Sequence, residues 1–370
     1  MNTIILLGAG ASVDAGLPMT VELTRRLERW LAERPRETCG HPLQVAEWRT
    51  FNHLVRLIID NEVESGGSVF GPIDVERIIT ALDVLAYRDS HEVSAFVETW
   101  ADVPSALGEV NVFEQLKRSL LFGVRTIMTQ VEPYRFDYFA PMFQNSAPVR
   151  LATLNFDLGV EMAAAHSGVR LDTGFESWDG TLEWRWDDAA DGARLLKLHG
   201  CIDHCFPRMN EGLTMVPRVK VFDAETGEAP GIILGSGNKL RIDGPFLPML
   251  LEFQRWLNSA AHLIVCGYSM RDDHINHLLI NWLTVTGRKL TVIDPGFPMH
   301  SLRLEGALDL GPDPVQRLDP GHSVLQEWLL EYEHAGGRPR FPLEWRESMP
   351  EVRILRMGAR EGLPQALATS

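Results

Sequence analysis

Three side chains that can do chemistry follow short apolar runs in the middle of the chain. Asn155 and Asp157 lie in the stretch TLNFD at 153–157, and His199 lies in LKLHG at 196–200. Together they offer an amide, a carboxylate and an imidazole at strand ends. Such a set can orient a polar ligand and move a proton near neutral pH, the range in which imidazole titrates. Singly each has a plainer reading: an asparagine in a turn, an aspartate capping the next helix, a histidine satisfied in the core. The same arrangement recurs, however, in GAGAS at 8–12, GSGNK at 235–239, VCGYSMRDDHI at 265–275 and VIDP at 292–295. Open α/β sheets bind ligands outside the carboxyl ends of their strands, so these loops are expected to share one edge.

The elements that must position them read as follows. TIILL at 3–7 is a short buried strand running into GAGASVDAGLP, where Gly8, Gly10 and Gly16 mark a strand-to-helix turn. Such a turn brings backbone N–H groups and a helix N-terminus to a phosphate. The strict GxGxxG fingerprint is not met, because Val13 stands where its third glycine belongs, and no second strand with an acidic end follows. Four helical stripes come instead: Leu23, Leu27, Trp30, Leu31; Trp48, Phe51, Val55, Ile58, Ile59; Ile78, Ile79, Leu82, Leu85 behind an N-cap at Asp74; and Leu116, Leu120, Val124, Ile127, Val131. A Gly/Ser-rich break at 65–72 separates two of them. Strands return at Val149–Leu154, Leu195–Leu198, Gly231–Leu234, His262–Cys266 and Lys289–Ile293, with helices at about 247–261 and 271–286, while 201–230 reads as irregular. This predicts an α/β fold: a Rossmann-like, doubly wound parallel sheet with a helical insertion layer over about 20–147 and a C-terminal helical extension. The main domain is drawn at 1–295. The segment 296–370, with an amphipathic stretch at Leu325, Trp328, Leu329 and Tyr332 and later Phe341 and Trp345, is set apart as an extension that packs back on the sheet or serves assembly.

Bulk properties exclude several classes. The chain has 370 residues, 45% of them hydrophobic, enough for a large core. A formal charge of −15 argues against a nucleic-acid grip but leaves room for a nucleotide held by backbone amides. Cys39, Cys201, Cys205 and Cys266 make no disulfide framework and read as reduced thiols. No apolar run has the length of a membrane span and no export signal is evident, so a cytoplasmic protein without membrane or direct nucleic-acid partners is expected.

The order GAGxSxxxGxP, TxNxD, HG and GxS resembles the sirtuin-like nucleotide-binding family, closest to its bacterial branch found in antiviral defence. The matches are Gly8-Ala9-Gly10-Ala11-Ser12 with Gly16 and Pro18, Thr153-Leu154-Asn155-Phe156-Asp157, His199-Gly200 and Gly267-Tyr268-Ser269, over roughly 1–295. Two departures stand out. Protein-deacylating sirtuins carry Pro-Asp-Phe-Arg after the glycine turn, whereas Pro18 is followed here by Met19 and Thr20. They also carry a four-cysteine zinc module after the HG motif, and here Cys201 and Cys205 are the only pair there. A structural zinc site needs four N/S ligands. Adding His204 and His199 would consume the candidate catalytic histidine, so no zinc is expected. His274 and His277, one helical turn apart, read as a polar helix face beside the site.

The resemblance implies NAD+ as substrate. It assigns the pyrophosphate to Gly8, Ala9, Gly10 and Ser12, the adenosine end to Gly267, Ser269 and Asp294, and the ribose and attacking water to Asn155, with Thr153 in the same motif. Asp157 would meet the nicotinamide carboxamide, and His199 would bind the ribose hydroxyls and act as general base. Lacking both deacylase features, the chain is expected to be an NAD+ glycohydrolase, the NAD-depleting effector of an anti-phage, abortive-infection system. The alternatives are an NAD-dependent protein deacylase and a non-catalytic NAD or ADP-ribose sensing module. A free NADase is toxic, so a homo-oligomer and a regulating protein partner, of the hexameric ATPase/nuclease or short Argonaute type, are also implied.

Overall fold

The computed structural model describes residues 2–34, 41–64, 73–86, 106–107, 110–144, 149–175, 184, 186, 192–205, 220–221, 229–234, 245–297, 325–326, 328–329 and 350–368. The expected GSGNK loop, the 65–72 break, Cys39, Tyr332, Phe341 and Trp345 lie outside these residues.

After strand β1 (Thr3–Leu7) and a 3-10 helix (Ala9–Ala15) the chain leaves the sheet. It forms α1 (Thr20–Glu33), α2 (His41–Glu64) and α3 (Val75–Ala86), a two-residue ribbon of β2 (Ala106–Leu107) and β3 (Val110–Asn111), and then α4 (Val112–Met128). Each predicted stripe is the buried face of one helix: Leu23, Leu27, Phe51, Ile78, Leu82, Leu116 and Val124 form a single cluster. Asp74 Oδ1 accepts the Arg77 N–H at 2.9 Å, as an N-cap should, and Asn111 caps α4 through Phe113 and Glu114. Trp48, counted on the stripe of α2, is instead 43% exposed.

A 3-10 helix (Pro133–Phe143) leads back to β4 (Arg150–Thr153), α5 (Gly159–His166), β5 (Leu171–Asp172) and β6 (Ala193–Lys197). Next come β7 (Gly200–Cys205), β8 (Lys220–Val221), β9 (Pro230–Ile232), α6 (Phe246–Ser259), β10 (His262–Cys266), α7 (Asp273–Leu283) and β11 (Lys289–Ile293). Strand β12 (Glu351–Leu355) and helix α8 (Ala359–Leu367) close the described chain. The principal sheet has seven parallel strands in the order β12-β11-β10-β1-β4-β6-β5. The strand order reverses at β1, which places the ligand crevice beside its carboxyl end.

Two-residue alternation divides the core. Ile4 and Leu6 of β1 join Leu196, Leu263, Val292 and helices α6 and α7 on one face. Ile5 and Leu7 join Leu151, Leu195, Ile264 and the helices Pro133–Phe143, α5 and α8 on the other. Strands covered on both faces are mostly apolar, which is why they read as short apolar runs; among the buried polar exceptions, His262 and Thr291 bond to each other. Each fully buried Leu, Ile or Phe contributes roughly 1.5–3 kcal/mol.

Three expectations are corrected. Gly231–Leu234 is not a strand of the parallel sheet; Pro230–Ile232 pairs antiparallel with β7 in a separate three-stranded sheet, β8-β7-β9. Within the stretch read as irregular, Gly200–Cys205 is a strand, hidden by the polar pair Asp203 and His204. The boundary at 295 does not coincide with a break in packing. Leu325, Trp328 and Leu329 are buried in the same core as β1, and β12 and α8 complete the sheet and cover its other face.

Candidate functional site

A diagonal ladder fixes where each loop leaves the sheet. The first amide beyond each strand donates to the last carbonyl of its neighbour: Leu198 to Thr153, Leu154 to Leu7, Gly8 to Cys266 and Gly267 to Ile293 at 2.9 Å each, and Asp294 to Leu355 at 3.0 Å. The parallel register pairs Leu7 with Thr153 and with Cys266, and Thr153 with Lys197. Every described candidate residue therefore starts from one edge.

Behind β1 the glycines serve close packing. The Gly10 amide donates to Gly267 O at 2.8 Å. A Cβ on Gly267 would stand 2.1 Å from the Ala11 nitrogen, and its φ of +62° is itself a glycine conformation. The loops after β1 and β10 thus interlock backbone to backbone. The amides of Gly8 and Gly10, assigned to a pyrophosphate, are already committed to protein carbonyls. Ala9 remains as the exposed residue of that turn.

Ser12 also departs from its expected role. Its Oγ donates to Asp157 Oδ2 at 2.8 Å and accepts from Asn155 Nδ2 at 3.1 Å, all three residues being buried. The other Asp157 oxygen accepts the Gly159 N–H at 2.8 Å, at the start of α5. Asp157 therefore anchors both Ser12 and the first amide of α5, with each of its oxygens accepting one bond from the protein. The directions of these bonds orient Asn155. A carboxylate only accepts, so Ser12 must spend its proton on Asp157 and receive from the Asn155 NH2. Asn155 Oδ1 is left as a buried acceptor with no hydrogen-bond partner among the described residues. Such groups are rare and costly, and this one is what a ligand hydroxyl or a bound water would satisfy. Thr153 supports it from below: its Oγ1 accepts the Asn155 amide at 3.0 Å and contacts Leu7 O at 3.4 Å.

His199 sits in the connection between β6 and β7, 4% exposed, its carbonyl accepting the Ile233 N–H at 2.8 Å. Gly200 turns the chain there with φ +84°, and a Cβ would meet Gly231 O at 2.1 Å. The His199 ring lies 5.9 Å from that of His274, in the first turn of α7. His274 thus belongs beside the site, while His277 is exposed. The loop carrying Gly267 and Ser269 is fastened by Tyr268, whose hydroxyl donates to Asn276 Oδ1 at 3.0 Å, and by Asn276 Nδ2 to Met270 O at 2.7 Å. Ser269 is exposed at this edge, its carbonyl accepting from Gln326 at 3.0 Å. Half-buried Asp294 receives the Gly296 amide at 2.8 Å. Of the helical layer, Asp74 reaches Arg271 at 3.8 Å and Arg125 Nε donates to Ile202 O at 3.1 Å, so that layer abuts the loop after β10 and strand β7.

Cys201 and Cys205 are buried on β7, and burial pushes the Cys201 thiol up to about 11, far from the thiolate a metal needs. Burial likewise pulls His204 down to about 3, and its ring packs on Phe175 with centroids 4.2 Å apart. Among the described residues no group of three or more His, Cys, Asp or Glu is placed to hold a metal ion, and no helix is long and apolar enough to cross a membrane.

Residues 149–305, which carry Asn155, Asp157, His199, Gly267, Ser269 and Asp294, match the SIR2-like domain family. The remaining members of the site, Gly8 to Ser12, follow β1 in the turn and 3-10 helix, so the site draws on chain well outside the matched segment. Solved structures similar to this chain include a Sir2 homologue–NAD complex, at 13% identity over 99% of this chain and 88% of that one with a TM-score of 0.41. A Sir2 bound to a propionylated peptide is similar at 12% identity over 91% of this chain and 94% of that one, TM-score 0.27. No curated protein matches the sequence.

Proposed function

We propose that this chain binds NAD+ at the carboxyl edge of its sheet and hydrolyses the nicotinamide–ribose bond, giving nicotinamide and ADP-ribose. The observation that carries the reading is the buried Asn155 Oδ1, an acceptor aimed by Ser12 and Asp157 and left with no protein donor among the described residues. It suits a ribose hydroxyl or the attacking water. A Sir2 homologue has been solved with NAD, which supports the choice of dinucleotide. In the reaction the C1′–N bond breaks with its electron pair going to nicotinamide, which leaves neutral. The water oxygen bonds to C1′, and its proton passes to His199 and on to solvent. Asn155 holds the water, and buried His199, with the His274 ring 5.9 Å away, takes the proton at the same edge.

Water, not an acyl-lysine, is the acceptor in this reading because the sequence lacks the Pro-Asp-Phe-Arg element and has one cysteine pair, Cys201 and Cys205, after the HG motif with no second pair following. An enzyme that empties a cell of NAD+ has to be held in check. An NAD-depleting role in anti-phage defence under a partner's control therefore accompanies the proposal.

The test is the full chain incubated with NAD+, with nicotinamide and ADP-ribose read by chromatography. Asn155→Ala and His199→Ala are each expected to lower turnover by roughly 100-fold or more, the scale of a lost acid–base or positioning group, with unchanged melting. Turnover that survives both substitutions would sink the assignment. Deacylation of an acyl-lysine peptide without free ADP-ribose would favour the deacylase instead, and NAD+ binding without turnover in the presence of a co-purifying partner would favour a sensor.

A further inference from the structure

Strand β6 contains one residue that neither the motif nor the proposed chemistry uses. Lys197, two positions before His199, is 1% exposed among apolar neighbours. Alternation along β6 sends Leu196 to one face and Leu195 to the other, and Lys197 shares the face of Leu195, where α5 packs. Its Nζ donates to the backbone carbonyl of Asp157 and pairs with Glu161 Oε1 at 2.9 Å, in the first turn of α5. Burial opposes its charge, but Cys201, Glu161 and Asp157 around it hold the ammonium protonated, with a pKa above the ordinary lysine value. The second Glu161 oxygen is buried without a partner among the described residues.

A pair like this contributes little to folding. Desolvating an ammonium and a carboxylate largely cancels their attraction, and apolar residues of the same size are often as stable or more so. Its position suggests another use. The loop 154–158 crosses from β4 to α5 with Asn155 and Asp157 on it, and among the described residues Lys197 is the side chain of the neighbouring strand that grips that loop by its backbone. From Lys197 the bonded path runs to Asp157, to Ser12, to Asn155 Nδ2.

We propose that Lys197, with Glu161, is a positioning pair that holds the 154–158 loop and sets the orientation of the Asn155 amide. This rests on the NAD+-hydrolysis reading of the same site. It predicts that the pair can be exchanged for an apolar one with the fold retained and the function lost. The experiment compares the full-length chain with Lys197→Met alone and with the double substitution Lys197→Met/Glu161→Leu, which leaves no carboxylate stranded. Three quantities are read: thermal melting, NAD+ turnover split into kcat and KM, and backbone hydrogen exchange of the segment 154–159.

The double variant is expected to melt at or above the wild-type temperature, to exchange at 154–159 roughly tenfold faster or more, and to lose kcat with KM nearly unchanged, the pattern of an interaction made in the transition state. Helices α1 to α4 should exchange as before. Unchanged exchange at 154–159, or faster exchange with undiminished kcat, overturns the proposal. If the wild-type chain itself turns over no NAD+, the hydrolase reading has failed and the exchange data alone decide. Protection unchanged in the double variant then refutes the positioning role, and protection lost there and nowhere else supports it. Poor folding of Lys197→Met alone is the expected cost of stranding Glu161, and folding failure of the double variant would show the pair to be structural and overturn the idea.

Discussion

Ser12 Oγ donates to Asp157 Oδ2 at 2.8 Å across 145 positions of sequence, tying the turn after β1 to the loop after β4. This one bond determines which end of Asn155 faces outward. Ser12→Ala removes it without opening a large cavity, and leaves the amide free to turn. NAD+ turnover is expected to fall roughly tenfold or more, about 1.4 kcal/mol of lost transition-state stabilisation, with melting little changed. Asp157→Asn should cost more, because it also weakens the cap on α5, by about 1 kcal/mol. Steady-state kinetics and calorimetric melting of both variants are the check. A Ser12→Ala enzyme with wild-type kcat would contradict the relay.

The interlock of the two glycine loops gives a second prediction. Gly267→Ala forces a Cβ into the Ala11 backbone at 2.1 Å and a positive φ on an alanine. Backbone strain of this kind costs roughly 1–3 kcal/mol, and relief of the clash must move Ala11 and its neighbour Ser12. Loss of both melting temperature and NAD+ binding by calorimetry is expected. Gly287→Ala, at a positive φ with open space around it, is the control: it should lower stability modestly and leave binding alone.

A third concerns acid. His262, fully buried on β10 with Nε2 2.9 Å from Thr291 Oγ1, is pulled down to about 4 by burial, with the Lys289 charge adding to the effect. His204 shifts in the same direction, to about 3. Between these values and the unfolded value near 6.5, the unfolded chain binds the extra protons, so stability is present in full above pH 6.5 and falls as pH drops through that window. Each such group can contribute a slope of up to about 1.4 kcal/mol per pH unit. Urea denaturation at pH 7.5, 6 and 5 should show this slope, and His262→Gln should flatten it. A slope identical in the two proteins would show that His262 does not titrate on unfolding.

A fourth concerns the end of the described chain. Asp14 Oδ2 accepts the Arg360 N–H at 2.9 Å, at the start of α8, and the Arg360 guanidinium lies 4.9 Å over the Tyr138 ring. Tyr138 in turn donates to Ala11 O at 2.6 Å. Asp14→Ala is expected to destabilise by about 1 kcal/mol, as loss of a capping acceptor does, and to raise hydrogen exchange in the segment 9–15 as well as in α8. If only α8 responds, the two are not coupled.

Much of this fold can be read from composition alone, for a physical reason. TIILL, HLIVC and KLTVI are buried on both faces, so their runs are mostly apolar, and their limits match β1, β10 and β11. The four helical stripes are legible for the corresponding reason, one buried face each. Strands β5 and β12 are not: Leu171–Asp172 is too short to show a period, and Glu351–Leu355 is an edge strand bearing Glu351 and Arg353. Pro230–Ile232 looks like its parallel neighbours but pairs elsewhere, a tertiary choice that no local pattern records. At the site, motif spacing brings the correct loops together but cannot tell a ligand-facing group from one that bonds its neighbours. Ser12 and Asp157 bond to one another, and the Gly8 and Gly10 amides to protein carbonyls. The signal overlooked was Lys197, a cation at the end of the buried run of β6, where Arg194 near its start is only half-buried.

The clasp between Asp14 and Arg360 joins residues 346 positions apart. A ribosome delivers Asp14 long before Arg360. The turn that carries Ser12 therefore waits, without this support, until α8 has been translated. A nascent chain that has not yet reached α8 lacks a contact that steadies the edge where Ser12, Asn155 and Asp157 meet.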